Sequence, residues 1–371
     1  MRPSCWRRDA SEWANDPAHF GPPDRGDRIL SGARQPTSQE LSVKGVNYDT
    51  GTEYRRGEIS RATWTEREVA YDLAAIRSDL HCSDVNVYGT DLGRLEEAGR
   101  LALREGLCVS IQPRSIDQDR EQGLAVVEAG ARVAERLRGE GEVTLNTGCE
   151  ISLFTRGFLP GRTFLSRMRN LAWVWPFLSS VNSRLNRHLV DVAAAAREHF
   201  GGPITYGAGT WESVDWSPFD LVGVNLYRDR WNEKSYLTDL RRLFKWAKPV
   251  LITEFGCAAF EGAERLGGGG WTIVDFDQDP PRLKAGHRRS EETQARYIDD
   301  LLRIFVEEGV RGAYVFDFAQ PYFPHVPDPA FDLDMAGYGL VKVLDAGSEG
   351  SPSRWEPKEA FEVVARVYRA G

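Results

Sequence analysis

The chain has 371 residues, 41% of them hydrophobic, which is enough to bury a large α/β core and too apolar for a disordered polymer. Its 47 basic and 55 acidic residues leave a formal charge of −8, which argues against a nucleic-acid partner. Five cysteines without CxxC spacing and six histidines without an HxH or HExxH grouping argue against a disulfide framework and a zinc site, so no metal or other cofactor is expected.

Residues 1–38 include Cys5, Trp6, Arg7 and Arg8 but no continuous apolar run, so they read as a loosely packed extension rather than a secretory leader. The domain proper is expected over residues 39–371. A β-type run at 41–48 opens it. Ala70, Leu73, Ala74 and Ile76 then form a stripe that predicts a helix over 63–80, capped by Thr63 or Thr65. Residues 84–88 predict a second strand, and Leu92, Leu95, Ala98 and Leu101 a helix over about 90–106. A third strand at 107–112, a helix to about 138 and a fourth strand at 143–149 follow. The stretch 167–200 reads as helical with a break at Pro176, because proline cannot supply the helix donor. Strands at 203–208 and 219–227, a helix at 236–246, a strand at 250–255, a helix at 291–308, a strand at 312–318 and a helix at 357–368 complete the series. The apolar run 171–178 is too short for a membrane span, so a cytoplasmic protein without a membrane partner is expected.

Eight β units with mostly helical crossovers predict an α/β fold, a (β/α)8 TIM barrel with an N-terminal extension and elaborated βα loops. A doubly wound sheet is the alternative, but no GxGxxG follows an early strand. In a barrel the C-terminal strand ends share one rim. Tyr48, Asp49, Tyr88, Arg114, Glu150, Trp211, Glu212, Asn225, Tyr227, Glu254 and Asp317 all fall at such ends or just beyond.

Glu150 and Glu254 end the fourth and seventh strands. Uncharged flanks around Glu150 predict partial burial, which raises a carboxyl pKa and suits a general acid. Two carboxyls across one mouth can protonate one oxygen and attack the neighbouring carbon of a sugar. A separation of ~5 to 5.5 Å suits retention and ~6.5 to 9.5 Å inversion.

The motifs Asn-Thr-Gly-Cys-Glu at 146–150 and Leu-Ile-Thr-Glu-Phe-Gly at 251–256 resemble those of the TIM-barrel clan of retaining glycoside hydrolases, with catalytic glutamates after strands 4 and 7. The resemblance implies hydrolysis of a β-linked O-glycoside, with Glu150 as acid/base, Glu254 as nucleophile and Tyr227 hydrogen-bonded to the nucleophile. The chain departs from the clan in carrying Cys149 where many members have Asn, and Tyr314, Phe316 and Phe318 near a usual strand-8 tryptophan. Either contact with the sugar 2-hydroxyl would then pass to another residue, Asn86 or Asn225, or the enzyme would treat the 2-position differently. A non-catalytic carbohydrate-binding protein on a degenerate barrel is the alternative reading. The sequence is also similar to proteins that carry an abortive-infection label, which implies no mechanism.

Trp211 and Trp271 are the best candidates for stacking on a sugar or oligosaccharide, ahead of Trp216, Trp231, Tyr322 and Phe323. Arg114 is expected to orient Glu254 or to bind an acidic sugar, and Glu212 and Asp317 to tune the pair or bind hydroxyls. The long segment 258–290, with glycines at 267–270, predicts a lid or cleft wall. His325 and the acidic loop 328–335 are candidates for a site-facing imidazole and a cation loop. The short fifth crossover leaves a side where a second copy could dock, giving a homo-oligomer.

Overall fold

All eight expected strands form in the computed structural model, which describes residues 40–55, 57–345 and 354–370. The expected N-terminal extension and Cys5 lie outside the described residues. The strands are β1 (Val43–Asp49), β2 (Asp84–Gly89), β3 (Cys108–Pro113), β4 (Val143–Cys149), β5 (Ile204–Gly207), β6 (Val222–Asn225), β7 (Val250–Phe255) and β8 (Gly312–Val315). They pair in parallel in the order β5-β4-β3-β2-β1-β8-β7-β6. A parallel bridge between Ala208 and Val224 joins the two ends of that order, so the sheet closes into a (β/α)8 barrel.

The first helix starts at one of the two caps expected for it, and the next two at caps of their own. Thr65 accepts from the Glu68 amide at the head of α1 (Glu66–Ser78), and Asp91 caps α2 (Leu92–Arg104). Asp119 and Gln122 form a reciprocal capping box on α3 (Arg120–Arg138). Pro176 breaks the next helical stretch as expected, into α4 (Phe164–Val174), a 3-10 turn (Trp175–Phe177) and α5 (Leu178–His199). α6 (Tyr236–Leu243), α7 (Glu291–Glu307) and α8 (Glu359–Ala370) complete the outer layer. No helix lies between β5 and β6. Trp216 fills that flank instead, buried against Tyr206 and Phe219.

β6 and β8 are shorter than the sequence predicts. In β8 the pairing with β7 shifts register after Ala313, and the continuing chain bonds singly, the Phe316 amide to Phe255 O and the Phe318 amide to Asn47 O. Inside the barrel the Asn86 amide donates to Asn47 Oδ1 at 2.6 Å and to Gln112 Oε1 at 3.2 Å. Among the described residues no helix is long and apolar enough to cross a membrane.

Candidate active site

At the end of β4 the chain must turn sharply, and Glu150 makes the turn with left-handed backbone angles, φ 43° and ψ 48°. Such angles cost a non-glycine residue on the order of 1 kcal/mol or more, so the surroundings must hold them. They do so through backbone and side chain together. The Glu150 amide donates to Gly207 O at 2.8 Å, the Ile151 amide to the Tyr206 hydroxyl at 2.6 Å, and the Ser152 amide to Glu212 Oε1 at 2.9 Å. Tyr206 in turn donates to Glu212 Oε2 at 2.7 Å. Glu212 therefore clamps the turn that presents Glu150.

Glu254, at the end of β7, is 6% exposed and meets three donors. Arg114 Nη2, from just beyond β3, lies 2.6 Å from Oε1; the Cys149 thiol donates to the same oxygen at 3.5 Å, and the Tyr227 hydroxyl donates to Oε2 at 3.4 Å. Arg114 is itself seated over the Tyr88 ring, 4.6 Å from its centre.

Asn225 joins the two acids. Its Oδ1 accepts from the Thr253 hydroxyl at 2.8 Å, which turns its amide nitrogen toward Glu150 Oε1 at 3.1 Å and Cys149 Sγ at 3.2 Å. Following these contacts through Cys149 to Glu254 puts an upper bound of about 10 Å on the separation of the two carboxylate oxygens, a bound that both the retaining and the inverting spacing satisfy.

Their electrostatics differ. Burial pushes the Glu150 carboxyl up to about 8, the Glu254 charge adds to the rise and the Asn225 hydrogen bond opposes it, so Glu150 is protonated at neutral pH. Burial likewise raises the Cys149 thiol well above its ordinary range and keeps it a neutral donor.

Both acids line a cavity of about 610 Å³, together with Arg114, Trp211, Asn225, Tyr227 and Trp271. The other expected contacts lie behind it. Tyr48 points outward to α1 and donates to Asp72 at 2.8 Å. Asp49 accepts from the Gly51 amide and the Thr52 and Ser60 hydroxyls of its own loop. Asn86 is spent inside the barrel, and Tyr88 donates to Asp317 at 3.0 Å beneath Arg114. Of the expected rings, Tyr322 and Phe323 line the cavity; Trp216 is in the core and Trp231 is exposed.

The segment after β7 forms one wall of the cavity. Gly270 in it is a packing requirement: its amide donates to the Tyr338 hydroxyl at 2.6 Å, and a Cβ there would stand 2.6 Å from Ala258 Cβ, whereas a Cβ on Gly269 would meet nothing within 4 Å. His325, Asp332 and Asp334 gather within 4.8 Å of one another, as a cation loop would. Arg289 pairs with both aspartates at 2.9 and 2.7 Å and Lys358 with Asp334 at 2.8 Å, so protein cations already balance the cluster.

Tyr54, Phe154, Phe164, Met168, Gln320 and Tyr338 also line the cavity and were not singled out from sequence. Only the aromatic and aliphatic density of residues 164–178 hinted at any of them.

No family model matches the sequence, and no curated protein matches it. Among solved structures, the chain is similar to a GH113 β-1,4-mannanase at 16% identity and TM-score 0.57, covering 90% of this chain and all of that one. It is similar to the GH113 β-mannanase AaManA from Alicyclobacillus acidocaldarius at 15% identity and TM-score 0.56, covering 88% and 97%. A β-glucosidase 1317 follows at 12% identity and TM-score 0.52, covering 89% and 98%. At these identities the likeness establishes a shared barrel fold across most of the chain.

Proposed function

We propose that the chain is a glycoside hydrolase that cleaves a β-linked O-glycoside with retention, using Glu254 as nucleophile and Glu150 as acid/base. One observation carries this reading: of the acidic side chains that line the cavity, Glu58, Glu150, Asp229 and Glu254, the two at the ends of β4 and β7 differ in state, Glu150 pushed up by burial to about 8 and Glu254 matched by a buried arginine. That division of labour is what glycosidic cleavage needs. The β-1,4-mannanase and β-glucosidase named above share this fold, which supports a β-linked sugar as the bond class here.

In the first step a Glu254 oxygen attacks the anomeric carbon while the leaving oxygen takes the Glu150 proton, which gives a glycosyl ester and a free alcohol. Glu150, now ionised, takes a proton from water, whose oxygen displaces Glu254 and restores both groups. Arg114 and Tyr227 hold the Glu254 carboxylate in place for attack. Asn225 is assigned the 2-hydroxyl contact that Asn86, held inside the barrel, does not reach.

Proton NMR of the first-formed product from a panel of aryl β-glycosides tests the reading. Retention delivers the β-anomer. An α-anomer would replace the nucleophile by a water, and absence of turnover across the panel would favour a binding protein on the same barrel.

A further inference from the structure

Between Glu150 and Asp191 the sequence carries six arginines and no acidic residue, in a chain of net charge −8. This stretch contains α4 and the 3-10 turn after it, and it faces two ways. Phe164, Leu165, Met168 and Leu171 line the cavity that holds the two glutamates, with Trp271 and Phe276 bounding the same space. Just beyond, Trp173, Trp175 and Phe177 stand 83%, 64% and 67% exposed. Arg162, Arg169 and Arg187 form no ion pair among the described residues.

These features constrain the substrate. Sugar hydroxyls require hydrogen-bonding groups, and the α4 wall offers aliphatic and phenyl side chains that can make none. Leucine and methionine suit a flexible hydrocarbon better than a second sugar ring. Three neighbouring exposed aromatics are a recognised mark of an interaction surface. Exposed tryptophans flanked in sequence by exposed arginines that form no ion pair among the described residues have the composition of segments that lie in the interface of an anionic bilayer. The rest of the chain repels such a surface, so this stretch would also set the orientation of approach.

We propose that the substrate is an amphiphilic glycoside whose apolar aglycone lies along α4, and that Trp173, Trp175 and Phe177 seat the protein on the anionic lipid surface that supplies it. The contact is interfacial and involves no spanning helix. The inference rests on the glycosidase reading above, and its test is independent of turnover.

Two measurements on the full chain decide it. In the first, Glu150→Gln is titrated with methyl, hexyl and octyl β-glycosides below their micelle concentrations. Affinity is expected to rise with chain length, by up to about fourfold per methylene, before it levels off. In the second, the wild type and a W173A/W175A/F177A variant are sedimented with vesicles of phosphatidylcholine alone or with phosphatidylglycerol. The wild type should bind the anionic vesicles at least about tenfold better than the variant and bind neutral ones weakly, while both turn over a soluble aryl glycoside equally. Affinity indifferent to chain length, or vesicle binding that survives the triple substitution, overturns the proposal. So does a wild-type dimer that the substitutions convert to a monomer without any vesicle binding, because the aromatics would then join two copies of the chain. Failure of all glycoside turnover with both binding results intact would remove the hydrolase reading instead.

Discussion

Two buried arginines in this barrel have nearly the same surroundings and different consequences. Arg61 lies over the Tyr48 ring at 4.8 Å and pairs with Glu68 at 3.1 Å and Asp72 at 3.4 Å. Arg114 lies over the Tyr88 ring at 4.6 Å and pairs with Glu254 at 2.6 Å. Around Arg61 the network is closed: Tyr48 and Trp355 donate to the two oxygens of Asp72 at 2.8 and 2.9 Å, and none of these groups borders the main cavity. Around Arg114 the network is open, since Glu254 lines that cavity and, among the described residues, its Oε2 accepts only a long bond from Tyr227 at 3.4 Å. A buried ion pair alone therefore does not mark chemistry. On the proposed function, a paired carboxylate that also borders a cavity does.

The largest expected effect breaks the open network. Glu254→Gln should lower kcat by at least about 10⁴-fold, because it removes the carboxylate proposed to form the glycosyl ester, with circular dichroism unchanged. Glu150→Gln should lose about 10² to 10⁴-fold on glycosides with poor leaving groups and less on activated aryl glycosides, where azide should restore turnover as β-glycosyl azide. For the wild type, kcat/KM should fall above about pH 8 as Glu150 loses its proton, and Glu150→Gln should lack that limb.

The closed network should respond in stability rather than rate. Arg61→Met leaves Glu68 and Asp72 without their buried cation and should cost about 3 to 5 kcal/mol in chemical denaturation, with kcat per folded molecule unchanged. The open site has a stability signature of its own. Because Glu150 holds its proton from its ordinary 4.5 up to about 8, the folded state binds more protons than the unfolded one across that window. Its contribution should therefore be lost as pH rises from about 4.5 to 8, on the order of a few kcal/mol, and Glu150→Gln should flatten the slope. The smallest effect is expected from Cys149→Ser, which keeps a neutral donor near Glu254 and should change kcat less than about tenfold.

The barrel was legible because its signals are local. Apolar runs, the cap at Thr65 and the break at Pro176 each act over a few residues, and all agree with one fold. The site was legible in part, because a strand end fixes depth along the barrel but not direction around it. Two-residue alternation sends Asn47 inward and Tyr48 outward to α1, although adjacent positions at the same rim look equally suited. Glu212 shows the same ambiguity, a buried acid at the rim that serves the backbone of its neighbour. The wall formed by Phe164, Leu165 and Met168 was hidden for another reason. An amphipathic helix announces an apolar face, but whether that face meets the core or a cavity depends on contacts distant in sequence.

The most direct measurement is trapping with activated 2-fluoro β-glycosides followed by peptide mass analysis. A single glycosyl adduct on Glu254, absent in Glu254→Gln, is the predicted result. Turnover of ordinary aryl glycosides without any adduct, or an adduct on another residue, would contradict the assignment of Glu254 as the nucleophile of this site.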